Sequence, residues 1–311
     1  MKIKRDLYLQ RLINRIDNGM IKVITGIRRS GKSYLIFKIF KSYLLNNLTD
    51  EQHIIEFELD RIENKKYRKP NIILEEINSL IVDNKKYYIL LDEIQMLEEF
   101  EEVLNSLLHK DNVDIYVTGS NSKMLSSDVL TQFRDRGNEI HVNPLSFAEV
   151  YDLYENKESA FEHYIVYGGM PYIYSLKSDE EKNQYLKDLF RETYIKDILE
   201  RNNIQNEKEV LELLLDFTSS AIGSLTNPTK LSRRFLSEKQ INISSNTISR
   251  YLTYFEEAYV IYHANRYDVK GARYFSTPLK YYFADIGLRN ARLNFRQVEE
   301  THIMENIIYN D

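Results

Sequence analysis

The chain contains no cysteine. Disulfides, iron–sulfur clusters, thiolate zinc sites and cysteine nucleophiles are therefore excluded together. Its six histidines are scattered, and no pair takes the H-E-x-x-H spacing of a helical zinc site. No apolar run approaches the roughly 18 residues that a membrane-spanning helix needs, so none is expected. An excess of positive charge is missing too. The 42 Lys and Arg residues stand against 47 Asp and Glu, a net charge of −5. Bulk charge therefore cannot hold the chain on DNA or on a membrane, although a local patch remains open. The basic start, MKIKRDLYLQRLINRIDNGM, is interrupted by charges and Asn before any apolar signal-peptide core forms. A cytoplasmic location is the default expectation.

What is present suits a globular protein. With 311 residues, 43% apolar and 29% charged, there is enough apolar surface for two domains or three small ones. Residues 5–17 carry Leu7, Leu9, Leu12, Ile13 and Ile16 in the rhythm of an amphipathic helix. A short apolar strand, IKVIT (21–25), runs into a glycine-bounded loop and then a helical pattern over 31–45. Further strand-like runs follow at 53–59, 87–91, 114–119 and 139–142, with helical patterns at 72–82 and 100–108 between them. Strands that alternate with helices predict a parallel sheet covered on both faces. The all-apolar 88–91 segment suits a strand in its centre. After Pro144 the pattern turns helical, rich in Tyr and Glu, to about residue 220, with one break at YGGMP (167–171). From residue 226 onward come short helices and aromatic strand-like segments.

Residues Gly26, Ile27, Arg28, Arg29, Ser30, Gly31, Lys32 and Ser33 fit G-x-x-x-x-G-K-[ST] without a mismatch. The spacing follows from the chemistry. Glycines let the backbone wind tightly enough for its N–H groups to converge on a phosphate at a helix N-terminus. Lys32 then reaches the β- and γ-phosphates, the Ser33 hydroxyl can ligate Mg²⁺, and Tyr34 follows directly. The motif lies between a strand and a helix, the context it requires.

A second apolar strand ends in the acidic pair Asp92-Glu93. Asp92 would hold Mg²⁺, directly or through water, and Glu93 would polarise an attacking water. A dedicated water-activating Glu favours hydrolysis over phosphoryl transfer to a small acceptor. At the end of the next strand stand Thr118, Ser120 and Asn121, one of which would approach the γ-phosphate and Glu93 if that strand neighbours both motif strands. Which one does so is open, as is a turn or capping role for Ser120 and Asn121. Arg134 and Arg136 precede an edge strand. They either serve a neighbouring subunit's γ-phosphate in a homo-oligomer, an effect of ~10³–10⁵ in rate, or pair on the surface with Asp135 or Glu139.

Six segments together carry a resemblance: IKVITGIRRSGKSYL (21–35), YYILLDEIQ (87–95), VTGSNSKML (117–125), NPLSFAEV (143–150), YGGMP (167–171) and KYYFADIGLRNA (280–291). In this order, over nearly the whole chain, they resemble the prokaryotic AAA+-type ATPases built from an AAA domain plus a C-terminal region of uncharacterised function. The resemblance implies an α/β P-loop NTPase fold with a parallel sheet flanked by helices, then a helical lid, then a winged-helix domain. It also implies ATP rather than GTP, and no guanine-reading Asn/Thr-Lys-x-Asp motif follows the sheet strands. The expected division is 1–145 for the ATPase domain, 146–222 for the lid, 223–285 for the winged helix and 286–311 for a tail. Family members usually continue past ENIIYN (305–310) into a nuclease-like domain. Glu305 alone cannot hold a metal for phosphodiester cleavage, so the tail is expected to be the start of a truncated or lost domain.

Within 226–283, residues 230–236 read as one helix, and Ser244 to Thr247 cap a second that runs to about residue 258. Wing strands are expected over 259–267 and 272–275, with Gly271 at the turn. The segment carries nine basic residues against four acidic ones, a net +5 within a −5 chain. Lys230, Arg233, Arg234, Arg250, Lys270 and Arg273 are the candidate contacts to double-stranded DNA. A protein partner or a structural role is also compatible with so modest a charge. The leading expectation is a Mg²⁺-dependent ATPase coupled to this module. The alternative is a nucleotide-controlled binding switch with little or no hydrolysis.

Overall fold

The structure, a computed structural model, describes residues 3–120, 137–204, 207–265, 279–296 and 300–310. It divides into two compact units. One comprises residues 4–26 and 31–142; the other comprises residue 3, residues 27–30 and the chain from 143 onward.

The first unit is a five-stranded parallel sheet between two layers of helices. Its strands are β1 (Ile21–Thr25), β2 (Ile54–Glu58), β3 (Tyr87–Asp92), β4 (Val113–Thr118) and β5 (Gly137–His141), in the spatial order β2-β3-β4-β1-β5. The 139–142 run thus sits on an edge strand and the 88–91 run on an inner one, as their patterns predict. Every residue of β1 and of β3 is buried, which accounts for their continuous rather than alternating apolar character. The pleat splits these apolar residues between two cores. On one face Val23, Ile89, Leu91 and Val117 pack with Ile73 and Ile77 of α3 (Pro70–Leu80) and Leu104 and Leu107 of α4 (Phe100–Leu108). On the other face Ile24, Leu90 and Tyr116 pack with Leu12 of α1 (Asp6–Ile13) and with α2, a continuous helix over 32–47 that runs as wide π turns through Leu35–Phe40. The register places Ile24 opposite Thr118 and Glu58 opposite Asp92, so the C-terminal ends of the inner strands lie along one edge. Open α/β sheets bind ligands at that edge.

One buried charge departs from this apolar plan. Lys22 on β1 is fully buried, where its ammonium bonds the carboxylate of Asp114 on β4. Asp114 also accepts from the Tyr116 hydroxyl at 2.8 Å and from the Asp17 N–H at 3.0 Å. The carboxylate is thus well satisfied, as a buried ion must be.

The second unit is built around one core. Its helices are α5 (Phe147–Tyr151), α6 (Lys157–Tyr167), α7 over residues 179–201, and α8 (Lys208–Ser220). Capping boxes at Ser146/Glu149 and Ser178/Glu181 start α5 and α7. After α8 come β6 (Leu225–Thr226), α9 (Pro228–Lys239), α10 (Ser245–Glu257), β7 (Ile261–Ala264) and β8 (Leu279–Phe283). The unit ends with α11 (Ile286–Arg292) and α12 (Glu300–Asn310). The strands form a small antiparallel sheet ordered β6-β8-β7. Ser244 caps α10 by accepting the Thr247 N–H at 3.1 Å. The expected strand over 272–275, its turn at Gly271, Lys270 and Arg273 all lie outside the described residues. The partner that β7 does find is β8, pairing Ile261 with Phe283. The Leu-Lys-Tyr-Tyr-Phe run was legible as part of a motif rather than as a strand.

The YGGMP and FADIG segments meet in this unit. Asp285, buried, accepts the backbone N–H of Gly169 at 2.6 Å and that of Leu288 at 2.9 Å. Gly169 returns the connection by accepting the Leu145 N–H at 2.8 Å. A Cβ on Gly169 would fall 1.9 Å from the Leu145 carbonyl oxygen, so no side chain fits there. Asn290 donates to the Ile165 carbonyl at 2.8 Å and to that of Val166 at 3.0 Å, near the end of α6. Both motifs are therefore a structural clasp.

Candidate functional site

The loop from Gly26 to Ser33 connects β1 to α2. Gly26 and Gly31 have φ of 134° and 98°, backbone that favours glycine, and Arg29 is held at 68°. A non-glycine residue in that region costs about 1–2 kcal/mol. This curled backbone, ahead of a helix start, is the form whose N–H groups suit a phosphate. Lys32 is buried and its ammonium donates to the Gly26 carbonyl at 2.9 Å, so its charge is directed back over the loop.

The acidic strand meets the loop at Ser33, whose hydroxyl donates to Asp92 Oδ1 at 3.0 Å. The Thr118 hydroxyl, at the end of β4, donates to that same oxygen and also accepts the Glu93 N–H at 2.9 Å. Burial pushes the Asp92 carboxyl above its ordinary range, against the lowering effect of the Thr118 and Ser33 hydrogen bonds. A carboxylate so penalised gains from a nearby cation, and a hydroxyl beside a carboxylate is the hard-oxygen set that Mg²⁺ takes. These two residues therefore fit Mg²⁺. Glu93 follows in left-handed backbone, φ 51°, which turns it out of the strand. Its carboxylate accepts from the Gln95 amide and, at 3.3 Å, from the Ser120 hydroxyl.

The structure thus brings together Lys32, Ser33, Asp92, Glu93, Thr118 and Ser120. Of the three open positions after β4, Thr118 binds Asp92, Ser120 approaches Glu93, and Asn121 lies outside the described residues, as do Arg134 and Arg136. Tyr34 is exposed. Arg28 and Arg29 are exposed as well, whereas Ile27 and Ser30 are fully buried. Gln95 was not singled out from sequence; the one available signal was a polar residue in the otherwise apolar Ile-Gln-Met-Leu segment after Glu93. Tyr194, whose hydroxyl donates to the Arg28 carbonyl at 2.9 Å, carried no signal at all.

Among the candidate DNA contacts, Lys230, Arg233 and Arg250 are exposed on α9 and α10. Arg234 is engaged: it bonds Glu238 at 2.8 Å and lies over the Phe217 ring at 4.5 Å. An open groove of about 630 Å³ at α9 is lined by Asn227, Thr229, Lys230, Arg233, Arg234 and Ser237.

A family model described as an AAA domain matches residues 18–151, which hold the whole loop and the acidic pair. The chain is 32% identical to an uncharacterised protein of Haemophilus influenzae, over 99% of this chain and 78% of that protein. It belongs to the P-loop AAA-type ATPase family. A second model, described as a domain of unknown function (DUF8612), matches residues 158–299. An uncharacterised protein of Methanocaldococcus jannaschii is 29% identical over 99% of this AAA-type chain and 68% of that protein. Among solved structures, the Walker-type ATPase paby2304 of Pyrococcus abyssi aligns with a TM-score of 0.64 at 15% identity, over 94% of this chain and 96% of that one. That likeness concerns the fold: a parallel sheet flanked by helices, followed by a helical region. No helix among the described residues is long and apolar enough to cross a membrane.

Proposed function

We propose that this AAA-type chain is a Mg²⁺-dependent ATP hydrolase whose nucleotide state is coupled to a winged-helix module that contacts DNA or protein. The observation that carries the reading is the meeting of Ser33 and Asp92, with Glu93 next in the chain and fixed through Thr118. Loop N–H groups and Lys32 bind the phosphates. Ser33 and Asp92 would hold Mg²⁺, which when bound neutralises charge on the phosphate oxygens. Thr118 orients Asp92 and the backbone of Glu93, and the Glu93 carboxylate accepts a proton from the attacking water. In this reading 1–145 is the ATPase domain, 146–222 a helical lid, 223–285 the winged helix and 286–311 a tail. The strand–helix–helix–strand–strand order from β6 to β8 supports the third assignment. A cytoplasmic setting fits such a protein, and a homo-oligomer would be needed for Arg134 or Arg136 to act on a neighbour.

Nucleotide binding is tested by titrating a non-hydrolysable ATP analogue with Mg²⁺. Lys32→Ala should weaken binding on the order of 10–100-fold, the value of a charge-assisted phosphate contact; unchanged affinity would remove the site assignment. For the module, Arg250→Ala should weaken duplex DNA binding and reduce the dependence of log K on log salt by about one. A wild-type protein that ignores duplex DNA at low salt would leave a protein partner as the reading for α10.

A further inference from the structure

The first half of the phosphate loop folds with the second unit. Residues 27–30 belong to that unit, and the Ile27 side chain is fully buried in its core together with Tyr194, Ile195 and Ile198 of α7. One hydrogen bond and two looser polar contacts join this short segment to α7. The buried Tyr194 hydroxyl donates to the Arg28 carbonyl at 2.9 Å. The Arg28 guanidinium lies 3.7 Å from Asp197, and the Arg29 side chain reaches the Tyr185 hydroxyl. Within the segment the Ser30 N–H closes a turn onto the Ile27 carbonyl at 3.2 Å. Arg29 holds its left-handed φ inside that turn, a conformation that persists only where its surroundings over-determine it. Tyr194 itself lies in the wide π turns over Leu189–Ile195, a helix form frequent at functional sites.

We propose that α7 is the seat that shapes the first half of the phosphate loop, with Tyr194 as the positioning residue, so that nucleotide affinity is set from α7. This rests on the nucleotide-binding reading above and adds a route for regulation. Whatever stabilises α7 tightens nucleotide binding, and by linkage a bound nucleotide protects α7. The Arg28–Asp197 pair is half-exposed and supports the seat only weakly, since Asp197 also bonds Arg201 at 2.9 Å. Tyr194 carries most of the effect.

The test compares two variants that lose the same kind of bond. Tyr194→Phe removes the hydroxyl bound to the Arg28 carbonyl. Tyr164→Phe removes a hydroxyl that donates to the Leu145 carbonyl at 2.8 Å, in the same core but with no recorded bond to residues 27–30. Amide hydrogen exchange of residues 27–30 is followed in the nucleotide-free full-length chain, and the Kd of a non-hydrolysable ATP analogue is measured in parallel. Tyr194→Phe should speed exchange across 27–30 and raise the Kd by about 2–10-fold, the effect of one buried hydrogen bond. Tyr164→Phe should lower thermal stability comparably while leaving both quantities at wild-type values. Equal exchange at 27–30 in the two variants overturns the proposal, as does a wild-type Kd in Tyr194→Phe. Faster exchange in Tyr194→Phe alone, with no analogue bound by any protein, keeps α7 as the seat of the loop and removes the nucleotide reading instead.

Discussion

Thr118 shows how one hydroxyl ties a site together. It donates to Asp92 and accepts from the Glu93 N–H, so the two acidic residues owe their placement to the same side chain. Replacing it by Val keeps the shape and deletes both bonds. The buried Glu93 N–H then loses its partner, which costs about 1–3 kcal/mol. Urea denaturation of Thr118→Val should show that loss, and a stability equal to wild type would mean that Thr118 does not bear on the acidic pair. The same scale explains what sequence reading could see here. A polar residue was required at the end of β4, but three polar residues stand within four positions, and only three-dimensional register selects among them. Lys22 is a stronger case. It looked like one charge in an apolar strand, and its partner Asp114 lies 92 residues away.

Elements tell a second story, in which motifs prove structural. Asp285 joins the turn after α6 to the start of α11. Burial pushes its carboxyl up to about 6, although the N–H groups of Gly169, Leu288, Gly287 and Met170 pull it down. The folded chain thus holds this proton more tightly than the unfolded chain, where the group titrates near 3.8. A raised folded value means that the group's contribution is fully present below about pH 4 and is lost as pH rises through about 6. Asp285→Asn cannot titrate. It should flatten the change in urea midpoint between pH 4 and 6 while lowering stability throughout, because it sets an amide N–H against backbone donors. A slope identical to wild type would contradict the assignment. The helix α10 was legible in advance because its cap and its apolar face are local signals. The strand β8 was not, since its pairing with β6 and β7 is decided at distances in the chain that no local pattern records.

At the level of the whole molecule, the parallel sheet, its flanking helices and the loop–acid pair were legible because each follows from local periodicity or from a spacing that chemistry demands. The order β2-β3-β4-β1-β5 then does what spacing could not. It sets Thr118 between the loop strand and the acidic strand and so completes the pair. What stayed hidden is the bond from Tyr194 to the Arg28 carbonyl, because a tyrosine that serves a backbone carbonyl looks like any other core tyrosine. On the proposed mechanism this site hydrolyses ATP with Glu93 as its base. The direct measurement is steady-state ATP turnover at saturating Mg²⁺ by wild type and by Glu93→Gln, each with and without duplex DNA, with nucleotide binding followed in parallel. Turnover is expected in the wild type, with a rate lower by about 10²-fold or more in Glu93→Gln, which still binds nucleotide. Equal turnover in the two proteins would remove Glu93 as the base, and bound nucleotide with no turnover in either under any of these conditions would leave a binding switch in place of a hydrolase.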